Sequence, residues 1–560
     1  LTEETLELPE SNDVTLYAAS STVASGNCGE NGSNITWSLD SGGTLTISGS
    51  GNLANYQSNS EVPWNGYAEQ IKNVNLDVVT ETLCPAENCC AFEMLSKINE
   101  IKIPEGVTEI PQSQKLFPRK LNRLVLPSTY TGQLTRSKLI GEMYCTDIVV
   151  SEDNPVYSSV DGTLFNKDQT KIIQYTRSYK ERNYVIPETV RDIDGAFYSA
   201  SFLQTLTITK NVEIVDMNIY NNMFNARGMG HDTFATFTEA IYVDEENPYF
   251  CSVDGVLYNK DMTILIWYPP YHQQGENFII PNSVNVVAPG AFFGSKCSRV
   301  QFPNSVEILG FEAFWLSYIE SITLPESIQT IYMACFFQCN FLSKVYIETK
   351  GDMYCGSQIF DACPKLKTVG GKGSGCDIEF CQMTVIPANM FSYCRYLTEV
   401  NIPNTVTEIK SSAFNMCPSL TNITVDKAEN AIFGAPWGAS GAAITYLRKM
   451  NIAPIAKTHI FTGNEIKQHI SITEDRKDGT ASTVLVENEN YRLNYSNNVN
   501  VGTAEIEIDF MNGYAGLSNE NLTFIITPKS SSELLITPIP NQSYTSHAVT
   551  PNPCITDMER

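Results

Sequence analysis

The chain has 560 residues, too many for one compact core, so several domains or an elongated array are expected. With 37 basic against 62 acidic side chains its net charge is −25, which disfavours nucleic-acid backbones and anionic membrane surfaces as partners. No run of about 18 apolar residues exists to cross a bilayer as a helix, and no two of the five histidines are close enough in sequence to pair on a metal.

Residues 1–25 are polar and read as a flexible segment at the start of an already processed chain. Beyond them the chain repeats itself. "INEIKIPEGVTEI" (Ile98 to Ile110) has relatives in "RVQFPNSVEILGFEAF" (Arg299 to Phe314), "SITLPESIQTIYMACFFQC" (Ser321 to Cys339) and "LTEVNIPNTVTEIKSSAFNMC" (Leu397 to Cys417). The proline that follows the apolar pair falls at Pro104 and Pro127, 23 apart, and at Pro281, Pro303 and Pro325, each 22 apart. Glu348 takes its place 23 residues later. A unit this short cannot enclose a core, so each must bury its apolar face against its neighbours, which predicts a solenoid. Lys115 stands where the repeat would carry phenylalanine, and Thr129 to Cys145 and Asn218 to Thr238 follow no repeat.

Two stretches are near copies: "SSVDGTLFNKDQTKIIQY" (Ser158 to Tyr175) and "CSVDGVLYNKDMTILIWY" (Cys251 to Tyr268), 93 residues apart. Asp-Gly between alternating apolar positions is a tight hairpin signal, and Asn166-Lys167-Asp168 and Asn259-Lys260-Asp261 supply a second turn. Each copy therefore predicts a three-strand meander. A calcium loop is disfavoured: Asp161 and Asp168 sit at opposite ends of one strand, roughly 20 Å apart when extended, far beyond a cation's reach.

Within a repeat, Leu397, Val400 and Ile402 form a short strand that Pro403 ends for want of a ladder donor. Val406 and Ile409 carry a second inward stretch, and Ala413, Phe414 and Cys417 turn the chain back. Phe336/Cys339, Phe360/Cys363 and Phe391/Cys394 keep the same offset, so stacking puts the cysteines in a column at about 5 Å intervals. They lack the close ligand pairs of a zinc site and read mostly as small buried hydrophobes, with disulfides between stacked cysteines geometrically open and not assignable from sequence. The strands also point non-core residues outward: Arg299 and Gln301, Glu320 and Thr323, Lys344 and Tyr346, Glu399 and Asn401. This stripe is the candidate binding surface; the plainer expectation for any one member is a solvated strand face.

The apolar-Pro, Val-x-x-Ile, Ala-Phe-x-x-Cys-x-x-Leu pattern resembles the BspA-like class of leucine-rich repeats, found on bacterial and some protozoan cell surfaces. The resemblance covers about Ile71 to Leu447. "NCGENGSNITWSLDSGGTLTISGSG" and "VPWNGYAEQIKNVNL" are similar to the N-terminal cap of these proteins, and "AENAIFGAPWGASGAAITYL" (Ala428 to Leu447) to their closing unit. From about Asn451 the chain changes to alternating strands with Asp-Gly and Asn-Gly turns, which predicts a small β-sandwich. "YRLNYSNNVNVGTAEIEI" and "NGYAG" resemble the tandem immunoglobulin-like modules of Gram-positive surface proteins. "FTGNEIKQHISITED" from Phe461 recurs as "YTSHAVTPNPCITDM" from Tyr544, 83 residues on, as if a further module opens there and more follow.

Enzyme signatures fail. In "GGKGSG" (Gly370 to Gly375) Lys372 is followed by glycine, unlike a phosphate-binding loop, and the stretch reads as a flexible loop. "GASGA" misplaces Ser440 for a nucleophile elbow. His231 and Asp232 are adjacent and cannot orient one another, and no glycosidase pair stands out among 62 carboxylates. The expected fold is mainly β: a leucine-rich repeat solenoid with β-hairpin insertions, plus a C-terminal immunoglobulin-like β-sandwich. Its expected divisions are a flexible segment (1–25), a β cap (26–70), the repeats (71–450), a sandwich (451–530) and the start of another module (531–560). No cofactor or metal is expected, nor insertion into a membrane. The resemblance implies an extracellular, secreted or surface-displayed adhesion protein without catalysis, binding host or neighbouring-cell proteins or glycans. A structural spacer or scaffold of the cell envelope is the alternative, and a glycan-acting enzyme the third.

Overall fold

The computed structural model describes residues 21–557 apart from 85–88, 111–115, 119, 135–143, 177–181, 198–199, 201–202, 216–237, 274, 350–351, 540, 542 and 544–554. The opening residues 1–20, Lys115, the His231–Asp232 pair, most of the two non-repeating stretches and the start of the second "ITD" copy lie outside the described residues. Among the described residues the regular structure is strand, with a few one-turn 3₁₀ helices. The chain forms two compact units, Leu1–Gln273 and Gln274–Arg560.

The first unit begins with a four-stranded sheet in which Thr22–Gly29, Gly32–Asp40 and Thr44–Ser50 run antiparallel. Asn73–Val79 joins it parallel to Thr44–Ser50. Trp64 is buried between Trp37, Tyr56 and Phe92, and its Nε1 donates to the Ala91 carbonyl at 3.0 Å. Nearby, Cys84 and Cys89 form a disulfide that the sequence did not signal. Three parallel strands follow, Glu100–Lys102, Lys120–Leu126 and Tyr144–Val150. After them comes the first meander: Tyr157–Val160, Thr163–Asn166 and Ile172–Gln174. The pattern then recurs, with parallel Asn183–Val185, Thr205–Ile208 and Ala240–Val243 leading into the meander Phe250–Val253, Val256–Asn259 and Ile264–Trp267.

The residues that the twin stretches share each have a structural task. Asp161 and Asp254 take φ of 48° and 50° and the following Gly162 and Gly255 take 80° and 83°, the backbone of a two-residue hairpin turn. The Gly162 and Gly255 carbonyls accept from the Ile148 and Ile241 amides of the preceding parallel strand. Ser159 and Ser252 hydroxyls accept from Val150 and Val243 amides on that strand. Asn154 and Asn247, just before the copies, are wholly buried. Asn154 donates to the Pro127 and Tyr130 carbonyls, and Asn247 to those of Thr209 and Val212. Each amide group thus fills the backbone vacancies of a buried corner. The duplication is a docking device for hairpins.

The second unit is built on a ladder of parallel strands. In spatial order these are Asn277–Ile279, Arg299–Gln301, Ser321–Leu324, Lys344–Ile347, Ile378–Phe380, Thr368–Gly371, Glu399–Ile402, Asn422–Ala428 and Ala443–Ile452. Val300, Ile322, Val345 and Val400 point inward and are buried. After the Pro turn, a second parallel row links Val286–Val287, Ile308–Leu309, Thr330–Ile331 and Tyr354–Cys355. A third row is the phenylalanine of each turn: Phe292, Phe314, Phe336, Phe360, Phe391 and Phe414 stack with centroids 4.6, 5.0, 5.4, 6.2 and 5.5 Å apart. Each repeat donates one ring that is useless alone and buried only by the rings above and below.

The cysteines three residues after these phenylalanines form the expected column, and their thiols are free. Cys339, Cys363 and Cys417 Sγ donate to the carbonyls of Phe314, Phe336 and Phe391 in the preceding repeat, at 3.1, 3.0 and 3.0 Å. Burial pushes the Cys363 and Cys394 thiols far above their ordinary range, which keeps them protonated as donors. They act as inter-repeat hydrogen bonds more than as plain hydrophobes. Serine occupies the same place at Ser317, whose Oγ lies 3.4 Å from Cys339 Sγ.

The turns demand left-handed backbone two residues before and two after each stacked phenylalanine. Gly290 and Gly294 meet this around Phe292, but Glu312 and Leu316, Ala334 and Gln338, and Ser412 and Met416 adopt it with side chains present. Beyond the ladder, Ile472–Arg476 pairs antiparallel with Ala443–Ile452, so that strand is hydrogen-bonded to the ladder on one side and to the C-terminal part on the other. A second sheet of Tyr491–Ser496, Gly502–Phe510, Glu520–Thr527 and Thr458–Ile460 packs its apolar residues with Ala428 and Ala431 of the ladder end.

Two substitutions test this architecture by urea denaturation. Cys363→Ala is expected to lower unfolding free energy by about 1–2 kcal/mol by removing a bond and packed volume, with Cys363→Ser recovering part of the loss. Met416→Gly, at an exposed position with φ 55°, is expected to raise stability by about 0.5–1 kcal/mol, because relief of left-handed strain exceeds the added unfolded-state freedom.

Candidate functional site

The side chains that the ladder turns outward fall in two rows, because alternate residues of a strand share a face. One row is Asn277, Arg299, Ser321 and Lys344, paired strand to strand. The other holds Ile279 opposite Gln301, then Thr323 opposite Tyr346, then Glu379. Together with residues just past the Pro turns, these rows, apart from Lys344 and Glu379, line a groove of about 670 Å³. Of the stripe expected from sequence, Arg299, Gln301, Thr323 and Tyr346 are in its lining.

The remaining four are placed otherwise. Glu320 is exposed but precedes its strand, and its amide donates to the Ser298 carbonyl; Ser321 is the residue opposite Arg299. Lys344 bends away, its Nζ 3.2 Å from Glu379 Oε1 and hydrogen-bonded to the Cys376 carbonyl. Glu399 and Asn401 lie beyond Thr368–Gly371 and hydrogen-bond each other at 3.1 Å. Sequence reasoning missed Asn277, Asn304 and Glu348 of the lining. Asn277 was legible in principle, being one repeat step before Arg299.

What separates the two halves of the stripe is the glycine-rich stretch. Thr368–Gly371 and Ile378–Phe380 are parallel neighbours whose order in the ladder is reversed relative to the chain. Parallel strands ordinarily need a crossover of about a dozen residues or more; here residues 372–377 suffice, passing over the outward face. Gly373 and Gly375 take φ of 74° and 78°. A Cβ on Gly370 would sit 2.7 Å from both Cys376 Sγ and Ser374 Oγ. The loop is fastened: Glu379, on the outward row, accepts from the Gly373 amide at 2.9 Å and the Gly375 amide at 3.1 Å. These bonds, the Gly373 amide foremost, with the Lys344 ammonium, hold the Glu379 carboxyl below its ordinary value against the opposing effect of burial. The loop is thus held on the outward row at Glu379, on the strand next to Tyr346, the last strand to line the groove.

The groove offers amides, hydroxyls, one guanidinium and one phenol ring, and among the described residues no group of three or more His, Cys, Asp or Glu is placed to hold a metal ion. The described helices include none long and apolar enough to cross a membrane.

Residues 271–379 and 376–434, which contain the groove, match in six copies the family model of the BspA type leucine rich repeat region. Among solved structures the chain is similar to a leucine-rich repeat protein from Eubacterium ventriosum, at 19% identity over 73% of this chain and 86% of that one, with a TM-score of 0.33. It is also similar to the pneumococcal vaccine antigen PcpA, at 17% identity over 74% and 97% of the two chains, with a TM-score of 0.36. A leucine rich cell surface protein from Faecalibacterium prausnitzii aligns at 19% identity over 53% and 96%, with a TM-score of 0.24. No curated protein matches the chain.

The lowered pKa of the Glu379 carboxyl gives the fastening of the loop an expected pH dependence of fixed sign. A carboxyl whose pKa is depressed by its bonds contributes stability above its ordinary pKa and loses it as pH falls through the depressed value. Amide hydrogen exchange, corrected for intrinsic rates, is therefore expected to show Gly373 and Gly375 protected near neutrality and progressively exposed in acid below the usual carboxylate range. Glu379→Ala is expected to abolish the protection at every pH, and Glu379→Gln to flatten its pH dependence.

Proposed function

We propose that this chain is a non-catalytic binding protein of the cell surface or its surroundings, presenting an extended repeat surface to proteins or glycans of a host or neighbouring cell. The stacked repeats are read as a leucine-rich repeat solenoid of BspA type, and the sheets of residues 458–527 as an immunoglobulin-like spacer that holds it. The single observation that carries this reading is the groove on the strand face, where in-register residues from successive repeats turn polar groups outward without satisfying one another. The side chains of Asn277, Arg299, Gln301 and Thr323 make no hydrogen bond or ion pair within the described chain. The BspA-type match over the same residues agrees with a binding or scaffold role.

A structural spacer of the envelope is the second reading, favoured by the first unit. There the outward side chains bond across strands: Arg123 Nε lies 3.5 Å from Glu100 and 3.3 Å from Asp147, and Asn122 donates to Asn99 at 3.0 Å. Such a face is self-contained. The two readings part in one experiment: the purified chain is screened against immobilised matrix proteins and glycans. Binding weakened at least tenfold by the triple substitution Arg299→Ala, Gln301→Ala and Tyr346→Ala, with an unchanged melting temperature, is the expected result. A chain that binds nothing on either array supports the spacer.

A further inference from the structure

We propose that the groove is a subsite for a short neutral oligosaccharide, with the glycine-rich loop setting its length; this rests on the binding role just proposed and names the ligand class of the same site.

Charge is the first argument. The chain carries −25, yet the groove lining contains one cation, Arg299, and one anion, Glu348, and is formally neutral. A polyanion approaching it would meet the repulsion of the whole molecule without a local cluster of cations to offset it. The nearest further cation, Lys344, is already committed to Glu379 and the Cys376 carbonyl.

The second argument is the kind of polar group on offer. Asn277, Gln301 and Asn304 present amides that donate and accept at once, and Ser321 and Thr323 present hydroxyls. A sugar ring displays paired hydroxyls that also donate and accept. Row mates on adjacent strands are about 4.8 Å apart, close enough for one ring to bridge two of them. The third argument is apolar surface spread along the groove, with the half-buried ring of Tyr346 at the loop end, exposed Ile279 at the opposite end and half-buried Phe302 between, which gives apolar C–H faces something to lie against. An extended peptide fits less well, since its backbone groups seek a sheet edge whereas the groove is a sheet face with neighbours paired on both sides of Arg299–Gln301 and Ser321–Leu324.

Length follows from where the loop sits. The groove spans the four strands from Asn277–Ile279 to Lys344–Ile347, three spacings or about 14 Å across, and on the next strand the outward position, Glu379, is taken up by the Gly373 and Gly375 amides of the loop. A ligand longer than a few sugar units would have to leave the face there.

The test is calorimetric titration of the full chain with chitotetraose, cellotetraose and lacto-N-neotetraose, together with the sialylated form of the last. At least one neutral tetrasaccharide is expected to bind, at least tenfold more weakly to Gln301→Ala and to Tyr346→Ala, and unchanged to Asn401→Ala, which lies beyond the loop. The sialylated form is expected to bind more weakly than its neutral parent. Circular dichroism melts of each variant confirm the fold. Affinity indifferent to the Gln301 and Tyr346 substitutions overturns the subsite. Capture by an immobilised matrix protein with no response to any neutral sugar overturns the ligand class while the binding role stands; silence toward both removes both.

Discussion

A repeat of about two dozen residues has no interior of its own, and the structure of the second unit follows from that want. The strand residue Val345, the ring of Phe336 and the thiol of Cys363 are each buried by something another repeat supplies. Backbone hydrogen bonds run between repeats at the strands, at the short second row, and even through the turns, where the Phe314 amide donates to Cys335 and the Phe336 amide to Ile359. Stability is therefore shared between neighbours, which is the energetic character of stacked arrays. The same constraint frees the outward side chains: since the core is made by the other face, the side chains at 299, 301 and 323 make no hydrogen bond or ion pair among the described residues.

That division of labour explains how unequal the two units' outward faces are. Where cross-strand neighbours are Arg123 with Glu100 and Asp147, the face is closed by its own ion pairs. Where they are Asn277, Arg299 and Ser321, neighbouring groups do not complete each other. Exposed pairs of the first kind add little to stability, so their presence is better understood as a choice of surface than as a brace.

The apolar-Pro spacing was enough to locate the buried strand residues and the phenylalanine stack, because burial of a repeat imposes a period on the sequence. The Asp-Gly pairs were enough to place the hairpins, because few residues tolerate left-handed backbone twice in succession. Three features were not legible. Strand order at Thr368–Gly371 and Ile378–Phe380 depends on the path of a loop, which leaves no mark on apolar periodicity. The part played by Glu379 was invisible for the same reason: a carboxylate in a strand looks solvated until a loop is folded over it. The place of Ser321 opposite Arg299 was hidden because the spacing from Glu320 to Thr323 is three residues, against two from Arg299 to Gln301, and strand register is set by pairing.

The continuity of Ala443–Ile452 across the ladder and the C-terminal part has a mechanical meaning. Arg448, almost wholly buried, grips Asp426 with both arms of its guanidinium at 3.0 and 3.1 Å, while Arg476 on the next strand holds the same carboxylate at 2.9 Å. Glu474 accepts from the Ala428 amide and from Tyr514. A swivel at this joint would have to shear backbone bonds and strand buried charges, so tension applied along the C-terminal sheets is delivered to the ladder without a hinge. The groove consequently keeps a constant bearing relative to the C-terminal sheets, and a force applied to those sheets reaches the repeats through paired strands instead of a flexible joint.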